Sequence, residues 1–286
     1  MNTRHGPADV IIAAGGLGTR VHPWSRFIPK EFYPVNQRPG ILHLFDEIRA
    51  IGPARVHFVY HPYYEPFIAW IRQLLTGGAG RYDSLVRLLG QQRRLTPFTL
   101  DGLCVEFVAQ SGPYSDLSSL LNGAHAVRNE HFLLAFADNL YPDENPLTHL
   151  CQANEPTILV RAFAPDEAGR RGLVVAPAYN GRRSVVRVLE KPGRDTALAL
   201  ASEWGEENLF MVEGRFALTR EFVHGADHRS CETGGEPKLS LALGRYAREH
   251  PVDIVVTASR VIDLATANPE ATAELRLPIS VGTGPR

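Results

Sequence analysis

The sequence predicts an α/β fold, with a mainly parallel central sheet flanked by helices and a smaller antiparallel region in the second half. Three observations carry that expectation. Apolar runs of strand length alternate with stretches of helical period through the first half of the chain. The first run, residues 10–14, is apolar without a break, as a strand buried on both faces requires. From Thr157 onward the strand candidates are short and punctuated by glycine and proline, as antiparallel pairing allows.

In chain order, residues 10–14 form the first strand, ended by a glycine cluster. Ile41, Leu44, Phe45 and Ile48 then fall at i, i+3, i+4 and i+7, the apolar face of one helix. Residues 56–60 read as the second strand, and 63–92 as two helices broken at Thr76-Gly77-Gly78-Ala79-Gly80. Residues 105–108 and 132–136 are further strands, with 117–127 helical between them. Strand, helix and strand in this order select parallel pairing with right-handed crossovers. The ligand site of such a sheet lies beyond the carboxyl ends of its strands, which brings residues 15–20 and Asp138 to one edge. Residues 157–161, 173–175, 185–189 and 210–216 are expected as strands of a region closing over the first half. Residues 240–249 read as a helix and 252–257 as a late strand.

Composition narrows the function. The chain has 286 residues, 44% of them apolar and 21% charged, so it can bury an extensive core. Its formal charge of −1 advertises neither a nucleic-acid nor an anionic-membrane partner. A polyanionic ligand would have to be held by local geometry. Cys104, Cys151 and Cys231 are odd in number and lack CxxC spacing, which argues against a disulfide framework or zinc knuckle and for a reducing cytoplasm. The polar amino terminus does not read as a signal peptide, and no run approaches the ~20 apolar residues that span a bilayer.

The strongest local signal is Ala14-Gly15-Gly16-Leu17-Gly18-Thr19-Arg20, directly after the first strand. Glycines let the backbone approach a ligand closely and turn N–H groups toward an anion. A tight turn with no ligand would use the same glycines. The third glycine of a dinucleotide fingerprint is missing, and no Gly-Lys-Ser/Thr follows to make a P-loop. Arg20 beside the amides suits phosphates, which a guanidinium grips bidentately. Pro23-Trp24-Ser25 and Ile28-Pro29-Lys30-Glu31 continue as a proline-stiffened loop that holds Lys30 at a fixed distance from Arg20. Two cations and a row of amides on one loop fit a triphosphate. Asp138, at the carboxyl end of an apolar strand, faces the expected crevice, where a carboxylate stays hydrated, binds a metal or caps a helix. The eleven histidines show no HxxxH or HxH spacing, and no Gly-x-Ser-x-Gly elbow supports a hydrolase.

Gly16-Leu17-Gly18-Thr19-Arg20, Pro23, Ser25, Pro29-Lys30-Glu31 and Pro34-Val35 resemble the signature of sugar-1-phosphate nucleotidylyltransferases. Within that family the chain is most similar to the bacterial UTP–glucose-1-phosphate uridylyltransferases, whose signature aligns without gaps. The likeness runs more thinly from about Asp9 to Asp263, and the long segment between His61 and Gln110 matches the uridylyl branch better than the shorter thymidylyl relatives.

This resemblance implies a Rossmann-like, GT-A-type fold in one domain spanning 1–286. Residues 8–150 would be the nucleotide-binding half, 151–265 the sugar-phosphate-binding half, and 266–286 a C-terminal tail. It implies magnesium-dependent transfer of a nucleotidyl group from a nucleoside triphosphate, UTP first, to a sugar 1-phosphate, glucose 1-phosphate first, in the cytoplasm. By the same resemblance, Ala13, Ala14, Gly15 and Gly16 lie under the base and ribose, Gly18 and Thr19 complete the nucleotide loop, and Gln110 hydrogen-bonds the base. Arg20, Lys30 and Lys191 are the catalytic cations, and Asp138 and Asp263 hold the metal. Gly172, Glu190, Lys191 and Glu236 hold the sugar and its phosphate, Glu190-Lys191-Pro192 repeating a family triplet. Gly214-Arg215-Phe216 matches a family strand.

The chain departs from the family at Ser115, where relatives have glycine, and at Asp116, where they have a small apolar residue or threonine. It also departs at Gly234-Gly235-Glu236, which lacks one carboxylate, and at Leu264-Ala265-Thr266, which replaces a glycine-rich stretch. These departures leave open a second reading, the same chemistry with another triphosphate and a modified sugar or cyclitol phosphate. A non-catalytic nucleotide-sugar-binding protein is the third, and a homo-oligomer is left open by the short C-terminal extension.

Overall fold

In the computed structural model, which describes residues 6–36, 38–73, 100–227, 232–233, 235–267 and 272, the unbroken apolar run becomes β1 (Ala8–Ala14). After it come α1 (Gly40–Arg49), β2 (Ala54–Tyr60), α2 (Glu65–Gln73), β3 (Leu103–Ala109), α3 (Asp116–Ala124) and β4 (His131–Phe136). The second half adds β5 (Asn139–Leu140), α4 (Leu147–Leu150), β6 (Thr157–Ala162), β7 (Leu173–Val175) and β8 (Arg187–Leu189). It ends with α5 (Arg194–Trp204), β9 (Leu209–Thr219), α6 (Arg220–Gly225), α7 (Leu239–Tyr246), β10 (Asp253–Val256) and β11 (Ile262–Asp263).

β1 lies inside a nine-stranded sheet, parallel to β2 on one side and β4 on the other. β3 extends the parallel part beyond β2. Because successive strand residues face opposite sides, the single run in β1 feeds two cores. Val10, Ile12 and Ala14 pack with Ile41, Leu44, Phe45 and Ile48 of α1 on one face. Ile11 packs with Leu117 and Leu120 of α3 and with Leu239 and Leu243 of α7 on the other. Each fully buried aliphatic or aromatic side chain contributes roughly 1.5–3 kcal/mol, so α1 is held mainly by its four-residue stripe.

The two halves meet in one strand. β9, 11 residues long, pairs along one edge with β6. Its other edge pairs first with β7, at 209–211, and then with β4, at 215–219. The register slips between Val212 and Phe216, so Glu213 and Gly214 fall outside the ladder where the sheet forks. The antiparallel strands therefore extend the central sheet through β9 and are not a separate sheet laid over the first half. One late strand also differs from expectation, since β10 pairs parallel to β6.

Arg215 locks this fork. Its side chain is 0% exposed, and all five guanidinium hydrogens have acceptors. Nε and Nη2 donate to Glu47 at 2.9 and 2.8 Å, Nη1 to the Phe136 and Gly214 carbonyls at 2.9 Å, and Nη2 also to the Asn139 carbonyl at 2.8 Å. The guanidinium also lies 4.8 Å from the centre of the Tyr141 ring.

Local corrections have local causes. The helix expected over 117–127 runs Asp116–Ala124, started by the Ser115 hydroxyl, which accepts the Ser118 N–H at 2.9 Å. The strand expected over 185–189 shortens to Arg187–Leu189, since the Val185 N–H goes to the Val252 carbonyl. The helix expected over 240–249 ends at Tyr246. Of the two helices expected over 63–92, α2 is the first, and the second lies outside the described residues. No helix among the described residues is long and apolar enough to cross a membrane.

Candidate active site

The carboxyl ends of β1 and β4 open onto a cleft of about 1360 Å³, more than one nucleotide-sized ligand needs. The parallel pairing sets Ala13 opposite Phe136, so the turn after β1 and the turn carrying Asp138 share that edge, as the strand order predicts.

Gly15 follows β1 with no room for a side chain. A Cβ there would lie 1.9 Å from Gln110 Oε1, which also accepts a 2.6 Å hydrogen bond from the Ser119 hydroxyl. Gly18 takes a left-handed φ of 61°, which only glycine adopts without cost, and turns the chain into Thr19 and Arg20. Both of these side chains are exposed on the cleft wall.

Lys30 reaches this loop from below. Its Nζ lies 2.9 Å from where a Gly16 Cβ would stand, and the residue is only 6% exposed. It contacts the Glu31 carboxylate and lies 3.4 Å from Asp138 Oδ2. Burial alone would strip its charge, but Asp138 and Glu31 together outweigh burial and raise the ammonium's pKa. Glu31 is fully buried, which raises its pKa, while Lys30 pulls it down.

Asp138 and Asp263 come from distant segments joined by a short antiparallel pair. Asp263 in β11 stands opposite Asn139 in β5, and the Leu264 N–H donates to the Asp138 carbonyl at 2.8 Å. The strand pairing of Asn139, directly after Asp138, answers the capping alternative, because no described helix starts there. Burial first, and repulsion from Asp138 second, raise the Asp263 pKa. A carboxylate buried beside a second carboxylate suits a divalent cation held by the pair. Among the described residues no group of three or more His, Cys, Asp and Glu side chains is placed to hold a metal. An ion on this pair would therefore draw its other oxygens from phosphates and water.

The far half of the cleft carries Gly172, Glu190, Lys191 and Glu236. Glu190 accepts from the Ser240 hydroxyl at 2.7 Å, and its other oxygen lies 3.4 Å from Lys191 Nζ. Lys191 takes a φ of 42°, costly for a lysine and consistent with a functional position. Glu236 pairs with Lys238 at 2.7 Å. Asp116 accepts the Leu239 N–H at 3.0 Å, tying α3 to the start of α7. Burial raises its pKa, against Lys238.

The cleft thus brings together Ala13, Gly15, Gly16, Gly18, Thr19, Arg20, Lys30, Asp138, Gly172, Glu190, Lys191, Glu236 and Asp263. Two expected residues stand elsewhere. Ala14 points into the core with Ile12, because strand alternation turns it away from Ala13. Gln110 sits behind Gly15 and is 7% exposed, off the cleft lining. Glu31 and Arg215 support the site without standing out in the sequence. Glu31 lies inside Pro29-Lys30-Glu31, whereas Arg215 acts through partners far away in sequence.

Comparison with known proteins identifies the family. A profile of the nucleotidyl transferase family matches residues 9–251. Glucose-1-phosphate thymidylyltransferase of Neisseria meningitidis is 26% identical over 208 residues, 72% of this chain but only 61% of that enzyme. UTP–glucose-1-phosphate uridylyltransferase of Bacillus subtilis is 25% identical over 252 residues, 82% of this chain and 78% of that enzyme. A crystal structure of UDP-glucose pyrophosphorylase with UDP-glucose superposes with a TM-score of 0.72 at 20% identity, covering 94% of this chain and 97% of that one. A glycine turn with a buried lysine and two facing aspartates on this sheet edge, within a profile covering most of the sequence, has one reading: the chain belongs to the nucleotidyl transferase family.

Proposed function

We propose that the chain transfers a nucleotidyl group from a nucleoside triphosphate to a sugar 1-phosphate, releasing pyrophosphate, with UTP and glucose 1-phosphate as the pair. The observation that supports it most is the buried Lys30 held between Glu31 and Asp138 directly under the glycine loop. A cation fixed there, beside backbone amides and opposite Asp263, suits a polyphosphate better than any neutral ligand.

In this reading a phosphate oxygen of the sugar 1-phosphate attacks the α-phosphorus of the nucleotide. A new P–O bond forms, and the bond between the α-phosphorus and the bridging oxygen breaks in line, its electron pair leaving with pyrophosphate. The attacking oxygen is already anionic near neutral pH, so no general base is required. The amides of the 15–20 loop other than that of Leu17, which donates to the Tyr114 hydroxyl, hold the triphosphate with Arg20 and Lys30, and Lys191 meets the sugar phosphate. Glu190 and Glu236 accept hydrogen bonds from sugar hydroxyls. Gln110 backs Gly15 and so fixes the floor on which the base rests. Asp138 and Asp263 fit magnesium, which when bound neutralises phosphate charge and lets two polyanions approach. Positioning supplies most of the remainder. The reading includes a cytoplasmic location, where nucleoside triphosphates are supplied.

A panel of the four common triphosphates against several sugar 1-phosphates, read by pyrophosphate release, tests this. UTP with glucose 1-phosphate is expected to give the largest kcat/KM. Ser115 and Asp116 favour a second reading, because a capped hydroxyl and a carboxylate beside the cleft replace the family's glycine and small apolar residue. Under that reading the chemistry stands and another pair wins. Release with no pair would leave only a nucleotide-sugar-binding protein.

A further inference from the structure

The peptide of Leu17, at the centre of the glycine loop, is pinned from both sides by tyrosines outside that loop. The Tyr64 hydroxyl, reaching from the turn before α2, lies 3.1 Å from the Leu17 carbonyl and 2.6 Å from the Ser25 carbonyl. The Leu17 N–H donates at 2.7 Å to the hydroxyl oxygen of Tyr114. Tyr64 is buried and its hydroxyl is spent on these carbonyls. Tyr114 differs: it is 46% exposed, lines the cleft, and its ring rests edge-on against His61 at 5.6 Å. It comes from the segment between Gln110 and α3, where Gly112 takes a φ of 82° and turns the chain over the loop.

A tyrosine hydroxyl both accepts and donates. Tyr114 Oη accepts from Leu17, and its own hydrogen has no acceptor among the described residues. The oxygen also lies 3.6 Å from where a Gly16 Cβ would stand, on the same side as Lys30 Nζ at 2.9 Å. A free O–H donor and an ammonium therefore flank one glycine at the mouth of the cleft. The N–H behind that donor polarises it, as in any chain of hydrogen bonds.

We propose that Tyr114 is a phosphate-binding residue, relaying the Leu17 amide outward and donating its hydroxyl hydrogen to a polyphosphate oxygen of the nucleotide. The inference rests on the nucleotide reading above but assigns a contact outside the loop and outside its cations. The ligand class it takes is a phosphorylated oxyanion whose oxygens meet both the Lys30 ammonium and the hydroxyl.

The test is equilibrium binding of UTP, and separately of inorganic pyrophosphate, to the wild-type chain and to Tyr114→Phe, followed by steady-state kinetics. Phenylalanine keeps the ring and its contact with His61, so the thermal midpoint should match wild type. Binding of both ligands is expected to weaken about ten-fold, ~1.4 kcal/mol, with the nucleotide KM rising in step and kcat little changed. Unchanged binding, or tighter binding because the hydroxyl merely plugs the Leu17 amide, would overturn the assignment. If neither ligand binds the wild-type chain, the nucleotide reading itself fails, an outcome separate from failure of the tyrosine contact.

Discussion

Asp138→Asn lowers pyrophosphate release by about 10²-fold or more while the protein stays folded. Loss of one preorganised group facing a developing charge costs on that order, and a divalent cation held by two carboxylates would lose half of its protein ligands. The fold should not suffer, because the peptide around Asp138 is held from behind. The Phe136 and Asn139 carbonyls, on either side of it, both accept from Arg215. Asparagine also removes the charge that opposes ionisation of Asp263. Against that gain, Lys30 keeps Glu31 but loses the carboxylate that most offsets its burial. The expected pair of readings is therefore a collapsed rate in a pyrophosphate assay and a thermal midpoint modestly below wild type in a protein that stays folded. Turnover close to wild type would remove Asp138 from the reaction.

Glu47→Ala has the opposite signature, a large loss of stability from a residue outside the cleft. It strands the guanidinium of Arg215, which is fully buried and takes two of its five acceptors from Glu47. Breaking a buried ion pair by removing one partner costs about 3–5 kcal/mol, because the remaining charge has no compensation. For a chain of this size that is a fall in thermal midpoint of roughly 10 °C. Arg215 also fixes the carbonyls flanking Asp138, so the residual folded protein should show a reduced rate even at low temperature. A change in stability below about 1 kcal/mol would mean that water replaces the carboxylate and that the fork is held by other contacts.

The parallel half of the sheet was legible because its physical signal is local. An unbroken apolar run can only be a strand with both faces covered, and α1 announces itself by four apolar residues on one stripe. The glycine loop was legible for the same reason, since Gly15, Gly16 and Gly18 mark where a backbone must come close or turn left-handed. What the loop faces was less so. A continuous run does not say which of Ala13 and Ala14 looks toward the cleft, and only the register with β4 decides it. Gln110 ends a strand at the right edge, yet whether its amide points into the cleft or under Gly15 depends on Ser119, one helix turn into α3. The fork in β9 was not legible at all. It depends on one long strand serving β7 and β4 in turn, and on Arg215 reaching Glu47 across 168 positions of sequence. No pattern of apolar spacing encodes a contact of that kind.

The central claim is that the turn after β1 holds a nucleotide's polyphosphate between Lys30 and the Asp138–Asp263 pair. A crystal structure with a non-transferable nucleotide analogue, magnesium and a sugar 1-phosphate tests it most directly. The expected result is phosphate oxygens on the amides of residues 15–20 other than Leu17, whose N–H stays on Tyr114, with Lys30 alongside and the metal on the two aspartates. Phosphates seated instead beside Arg170 and Arg171, two further cations of the cleft lining, with that turn left bare, would contradict it.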